Sequence, residues 1–133
     1  MTHSIRQPQN RPWILVAAVG WTLLILALCT VPGKDLPEIN IISIDKIGHF
    51  GIFAVFGWLW MRAYTLSDLA RRSRYVLVGG LAYAVLTEIY QGIMPFGREA
   101  DLWDAAANAA GLLAGVGVYW GLAASSNSRN RTP

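Results

Sequence analysis

Long apolar stretches alternate with short polar ones along the chain, and four of the apolar stretches approach the length needed to cross a bilayer. They run from Trp13 to Val31, from near Ile44 to Tyr64, from near Val76 to Met94, and from near Leu102 to Ala123. An α-helix rises 1.5 Å per residue, so roughly 20 residues cross a hydrocarbon core of about 30 Å. The runs are continuous. Strands of a membrane barrel would instead be about 10 residues long and alternate. Since lipid admits only helices and closed barrels, the pattern predicts an all-α integral membrane bundle of four transmembrane helices. The first run has 19 uncharged residues, longer than the roughly 7–15 of a cleaved leader, so Arg6 and Arg11 are read as flanking a retained helix.

Turn-forming residues mark the same limits. "VPGKDLPE" follows the first run, and Pro95 with Gly97 closes the third. The predicted organisation is an N-terminal tail over 1–12, a transmembrane domain over 13–123, and a disordered tail over 124–133 that begins with the polar "SSNSRNRTP" near its start.

Composition supports a membrane solvent. Of the 133 residues 54% are hydrophobic and 14% charged, against about 25% charged in a soluble domain. A chain this small lacks the interior to hide four such runs from water. The net charge of +3 does not indicate nucleic acid, because the basic residues form short clusters between apolar runs rather than one stripe. Cys29 is the only cysteine, which excludes an intramolecular disulfide, and its apolar neighbours predict a core position.

The distribution of Lys and Arg predicts orientation. Eight fall on one side: Arg6, Arg11, Arg62, Arg71, Arg72, Arg74, Arg129 and Arg131; three fall on the other, Lys34, Lys46 and Arg98. Both termini are therefore expected in the cytoplasm, making this a multi-pass membrane protein. Asp68 with Arg71, Arg72 and Arg74 reads as a cytoplasmic loop meeting anionic headgroups. Trp13, Trp21, Trp58, Trp60, Trp103, Trp120 and Tyr119 read mainly as anchors at the membrane interface.

The remaining polar residues converge. Asp45, Lys46 and His49 open the second helix, Glu88 and Gln91 lie near the outer end of the third, and Asp101, Asp104 and Asn108 begin the fourth. Each set keeps helical spacing, so each occupies one face. Gly111 and Gly115 continue the last face with the small-xxx-small pattern of close helix approach. The expectation is an outward-facing polar pocket. Its potential anions are Asp45, Glu88, Asp101 and Asp104; its potential cations are Lys46, Arg98 and His49. Within it His49 and Glu88 are candidates for proton transfer. Asp45, Lys46, Gln91, Arg98, Asp101, Asp104 and Asn108 are candidates for binding, with Lys46 and Arg98 suited to phosphate. His49, Glu88, Asp101 and Asp104 would suit Mg²⁺ or Ca²⁺ better than structural zinc. No fixed ligand spacing supports a metal, however, and none is assigned; no cofactor is expected.

"DKIGHFGIF" (Asp45–Phe53), "TEIYQ" (Thr87–Gln91) and "READLWDAAANAAG" (Arg98–Gly111) together resemble the VanZ-like family of small bacterial membrane proteins. The resemblance spans Asp45 to Gly111. The family is named for a protein that lowers susceptibility to the glycopeptide teicoplanin, and the resemblance implies a role at the cell envelope without supplying a reaction. Three readings stay open. The pocket binds or modifies an anionic, polyprenyl- or phospholipid-linked envelope molecule; it is a structural network locking helices together; or it serves a small proton-coupled transporter. Expected partners are membrane lipids and no nucleic acid, and the sequence does not fix the oligomeric state.

Overall fold

The computed structural model describes residues 12–32, 42–95, 97 and 100–129. Four helices account for most of them: α1 (Pro12–Cys29), α2 (Ile42–Ala63), α3 (Leu69–Ile93) and α4 (Leu102–Arg129), with no strand among the described residues. Arg6, Arg11, Lys34, Arg98 and Arg131 lie outside the described residues.

Three helices are long and apolar enough to cross a membrane: α1, α3 and α4. Although α2 has the length, its apolar content is diluted by Asp45, Lys46, His49, Arg62 and three glycines. It is the central element. It packs most extensively on α4 and also meets α1 and α3, whereas α1 and α4 do not meet among the described residues. The helix least suited to lipid is thus the one most enclosed by the others.

Hydrophobic side chains point outward as well as inward. Val16 and Leu23 on α1, Val78, Leu86 and Ile93 on α3, and Leu102, Leu113 and Leu122 on α4 are all more than half exposed. A soluble protein of this size would not present so continuous an apolar coat. Inside lies a core of Ile25, Cys29, Phe53, Phe56, Met61, Val76, Ala84, Leu112 and Val116. Cys29 takes the core position its neighbours predict. Phe56 stacks on Tyr83 with ring centroids 5.5 Å apart and is tilted against Phe53 at 5.7 Å, separations typical of favourable aromatic pairs.

Two boundaries differ from the apolar runs. α3 begins at Leu69 because Asp68 caps it, accepting from the amides of Ala70 at 3.0 Å and Arg71 at 3.2 Å. The arginines read as a loop are therefore its first turns. α4 continues to Arg129, so residues 124–129 are helical where composition predicts disorder. Ser125 and Ser126 bond back to the carbonyls of Gly121 and Leu122, which satisfies their hydroxyls without leaving the helix.

The small-residue pattern on α4 has a direct cause. A methyl group at Gly111 would collide with the carbonyl oxygen of Phe50, and one at Gly115 with that of Ala54. On α2, a methyl at Gly57 would lie 2.9 Å from the Leu112 carbonyl oxygen. Glycines on both helices bring the backbones of α2 and α4 together.

Candidate functional site

At the end of the bundle where α2 and α4 begin and α3 ends, three helices contribute polar side chains to one connected network. Close approach at Gly111 sets the N-terminal turns of α2 and α4 side by side, and Lys46 spans the gap. Its Nζ donates to Asp101 Oδ2 at 2.8 Å and to Asp104 Oδ1 at 2.7 Å. Asp101 precedes α4 and caps it: its Oδ1 accepts from the Trp103 amide at 2.8 Å, and its carbonyl accepts from Asp104 and Ala105. One residue thus starts the helix and pairs with the lysine. The Lys46 ammonium, followed by the Trp103 amide, holds the Asp101 carboxyl below the ordinary aspartate range.

Beneath this layer the groups become more buried. Asn108 is wholly enclosed, and His49, Glu88, Gln91 and Asp104 are each less than a tenth exposed. Asn108 links two helices: its Nδ2 donates to Glu88 Oε1 at 3.2 Å, while its Oδ1 lies 3.0 Å from His49 Nδ1. With the amide nitrogen committed to a carboxylate, Oδ1 is the acceptor, so His49 carries a hydrogen on Nδ1. The other oxygen of Glu88 accepts the Asp101 amide at 3.3 Å. α3 is thereby tied to the start of α4.

His49 Nε2 points toward Asp45 and Asp104. It lies 3.8 Å from Asp45 Oδ1 and 3.8 Å from Asp104 Oδ2, beyond hydrogen-bond range of both. Asp45, His49 and Asp104 each offer one ligand atom, all within 4.8 Å of one another. Asp45 and Asp101 line the rim, with side chains 37% and 40% exposed.

The structure therefore brings together Asp45, Lys46, His49, Glu88, Asp101, Asp104 and Asn108 from the sequence-predicted set. Gln91 is buried one turn along α3 from Glu88; Arg98 lies outside the described residues. His49 and Glu88 do not meet directly as a proton-transfer pair, since Nδ1 and Oε1 are 3.9 Å apart and both bond to Asn108. Next to this network, Leu26, Tyr83, Leu86, Thr87, Tyr90 and Ile93 line an open, mostly apolar groove of about 330 Å³ between α1 and α3. Glu88 follows Thr87 in the chain, but its carboxylate is turned toward α4 and does not line the groove.

A second polar assembly, at the opposite end, is less apparent from sequence. Arg72 turns inward and donates to the carbonyls of Leu66 and Met61 and, at 2.7 Å, to the Tyr119 hydroxyl. Trp120 Nε1 donates to Ser73 Oγ at 2.8 Å at the same end, while Trp60 Nε1 donates to Thr22 Oγ1 at 3.1 Å and Trp21 Nε1 to the Ile52 carbonyl at 2.9 Å, both at the middle of α1. Three of the aromatic residues read as interface anchors are thus donors between helices, and Arg72 is a brace rather than a headgroup contact. Arg72 and Ser73 lie within a turn and a half of the Asp68 cap, at the start of α3. Trp13 and Trp103 are largely exposed.

No curated protein and no solved structure matches the chain. The VanZ/LLP1 family model matches residues 4–124, which takes in all four helices nearly whole and every described member of the polar network. The chain belongs to the VanZ-like family.

Proposed function

We propose that this chain is a four-span protein of the bacterial inner membrane, with both termini cytoplasmic, whose outward-facing pocket binds an anionic, lipid-linked envelope molecule. α2 is the fourth span, carried by its length and by its enclosure among three other helices. One observation carries the reading: a connected set of ionisable side chains is buried at a single end of a bundle whose outer surface is apolar. Ionisable groups within a membrane domain are costly, and they mark functional sites by default. The neighbouring groove between α1 and α3 offers an apolar track for an acyl or prenyl chain. Lys46 shares its charge between Asp101 and Asp104, so Arg98, outside the described residues, is the better phosphate contact of the two basic candidates. The family's link to teicoplanin susceptibility is consistent with an envelope ligand on that face.

A structural role is the second reading, favoured by the completeness of the network: among the described residues no fully buried side-chain nitrogen or oxygen lacks a hydrogen-bond partner. The test is the lipid content of purified protein, comparing wild type with Glu88→Gln and Leu86→Trp by mass spectrometry at matched thermal stability. Enrichment of a polyprenyl-phosphate or anionic phospholipid on wild type, reduced in both variants, supports binding. Identical lipid profiles in all three proteins would leave the network as a brace.

A further inference from the structure

The polar network holds more negative charge than its described cations offset. Asp45, Glu88, Asp101 and Asp104 are four carboxylates, and among the described residues Lys46 is the permanent cation between them. Its ammonium occupies one oxygen of Asp104 and one of Asp101. The second oxygen of Asp104 points elsewhere, toward His49.

His49 identifies what that second oxygen faces. The imidazole is nine-tenths buried, with side-chain exposure of 10%. Its Nδ1 hydrogen is committed to Asn108, and Asn108 is fixed in turn by Glu88. In the neutral ring the remaining nitrogen, Nε2, is therefore a lone pair. Among the described residues it makes no hydrogen bond, and it is aimed between two carboxylate oxygens 3.8 Å away. A lone pair facing two anions is repulsive, and a cation placed between them turns that repulsion into attraction. Donors bound to one ion at about 2.1 Å stand roughly 3–4.2 Å apart, from adjacent to opposite coordination positions. The two 3.8 Å separations fall in that interval, and the third edge of the triangle, within 4.8 Å, closes by a small rotation of the partly exposed Asp45 side chain. The surroundings also resemble those of a ligating histidine, whose far nitrogen is ordinarily held by a hydrogen bond that fixes tautomer and ring orientation.

We propose that Asp45 Oδ1, His49 Nε2 and Asp104 Oδ2 bind a divalent transition cation of the Zn²⁺ or Mn²⁺ type. An imidazole nitrogen beside two carboxylates favours these ions over Mg²⁺ and Ca²⁺, which prefer oxygen throughout. Three protein ligands leave coordination positions open, and the partly exposed side chain of Asp45 leaves them accessible from that edge of the network. Lys46 then has a positioning role, holding Asp104 so that its free oxygen is presented to the ion. The cation site stands whether or not a lipid occupies the pocket. Where one does, an ion with open positions could grip a phosphate oxygen more directly than Lys46 does.

The experiment is a metal titration of the full chain in lipid nanodiscs after chelator treatment. Mn²⁺ is followed by loss of its free paramagnetic resonance signal, Zn²⁺ by elemental analysis after desalting, and Mg²⁺ and Ca²⁺ serve as competitors. The expected result is one equivalent of Zn²⁺ or Mn²⁺ per chain, with a rise in melting temperature. Asp45→Asn should weaken binding at least tenfold; Asp45 is partly exposed and contacts only His49 among the described ion pairs, so this variant retains the packed network. Asp104→Asn, which keeps an oxygen for Lys46, should act likewise. Asp68→Asn, the same charge loss at the opposite end, should bind as wild type. Substoichiometric binding of both ions, binding of Mg²⁺ or Ca²⁺ alone, or wild-type affinity in Asp45→Asn would overturn the assignment.

Discussion

Replacing Gly111 with alanine adds one methyl group where the backbones of α2 and α4 touch. The added carbon would overlap the Phe50 carbonyl oxygen and lie 2.8 Å from the Phe50 carbonyl carbon. Neither atom can rotate away, as both belong to a helical backbone. Restoring ordinary contact, which begins at 3.4 Å, requires the helices to part locally by about 1 Å, a displacement that dispersion contacts along the seam feel directly. Overpacking of this kind costs about 1–3 kcal/mol, and the gain in helix propensity on replacing glycine by alanine returns at most about 1 kcal/mol. The net expectation is a loss of about 1–2 kcal/mol. The same movement lengthens the bonds from Lys46 to Asp101 and Asp104, since Gly111 lies two turns beyond Asp104 on one face. Gly117 supplies the internal comparison. It is on the same helix, is exposed, and nothing approaches its added methyl within 4 Å, so Gly117→Ala should be neutral or slightly stabilising. Thermal unfolding of the two variants in one detergent, followed by circular dichroism, measures the contrast. If Gly111→Ala melts with or above Gly117→Ala, the close approach of α2 and α4 is not the constraint described.

Asn108→Ala removes the amide between His49 and Glu88 in a fully enclosed position. It should destabilise by about 2–4 kcal/mol, for two lost buried hydrogen bonds and the cavity left behind, as read by denaturant or thermal unfolding. Arg72→Lys keeps the charge but loses the fork that reaches Leu66, Met61 and Tyr119. Its expected cost is about 1–3 kcal/mol, and a variant indistinguishable from wild type would remove the brace at that end. The Asp101 carboxyl is held below its ordinary value of 3.8, so the folded state binds its proton less readily than the unfolded state does. That contribution is complete above the ordinary value and is lost as the pH falls through the lowered one. Melting temperature should therefore fall with acid below about pH 4, more steeply in wild type than in Asp101→Asn; parallel acid limbs would show that the Lys46 pair contributes nothing at the mouth.

Much of the fold is legible from periodicity because lipid-facing helices need unbroken apolar runs. Their true ends are less so. Hydropathy reports where a helix meets hydrocarbon, and it is blind to a cap such as Asp68 or to serines that bond back along α4. Residue spacing located the polar network well, since Glu88 with Gln91 and Asp101 with Asp104 and Asn108 keep to single faces. What spacing does not reveal is pairing. It cannot show that Lys46 is shared by two aspartates, or that Asn108 stands between the two proton-transfer candidates. Nor does spacing show which N–H partner Trp21, Trp60 and Trp120 take, since tryptophan is amphipathic and its N–H serves equally at a headgroup or a neighbouring helix.

The pairing of Lys46 with residues 55 and 58 positions further along has a consequence for biosynthesis. At about 5–20 residues per second, the ribosome delivers those partners roughly 3–12 seconds after the lysine. On the proposed four-span topology, α2 must wait throughout that interval with Lys46 lacking both of its aspartates, although its apolar content is diluted by charged residues. Its integration is thus conditional on a later segment. A nascent chain stalled before residue 101 should leave α2 at the insertion machinery or exposed to membrane proteases, and release of α4 should be the event that commits the whole bundle to the bilayer.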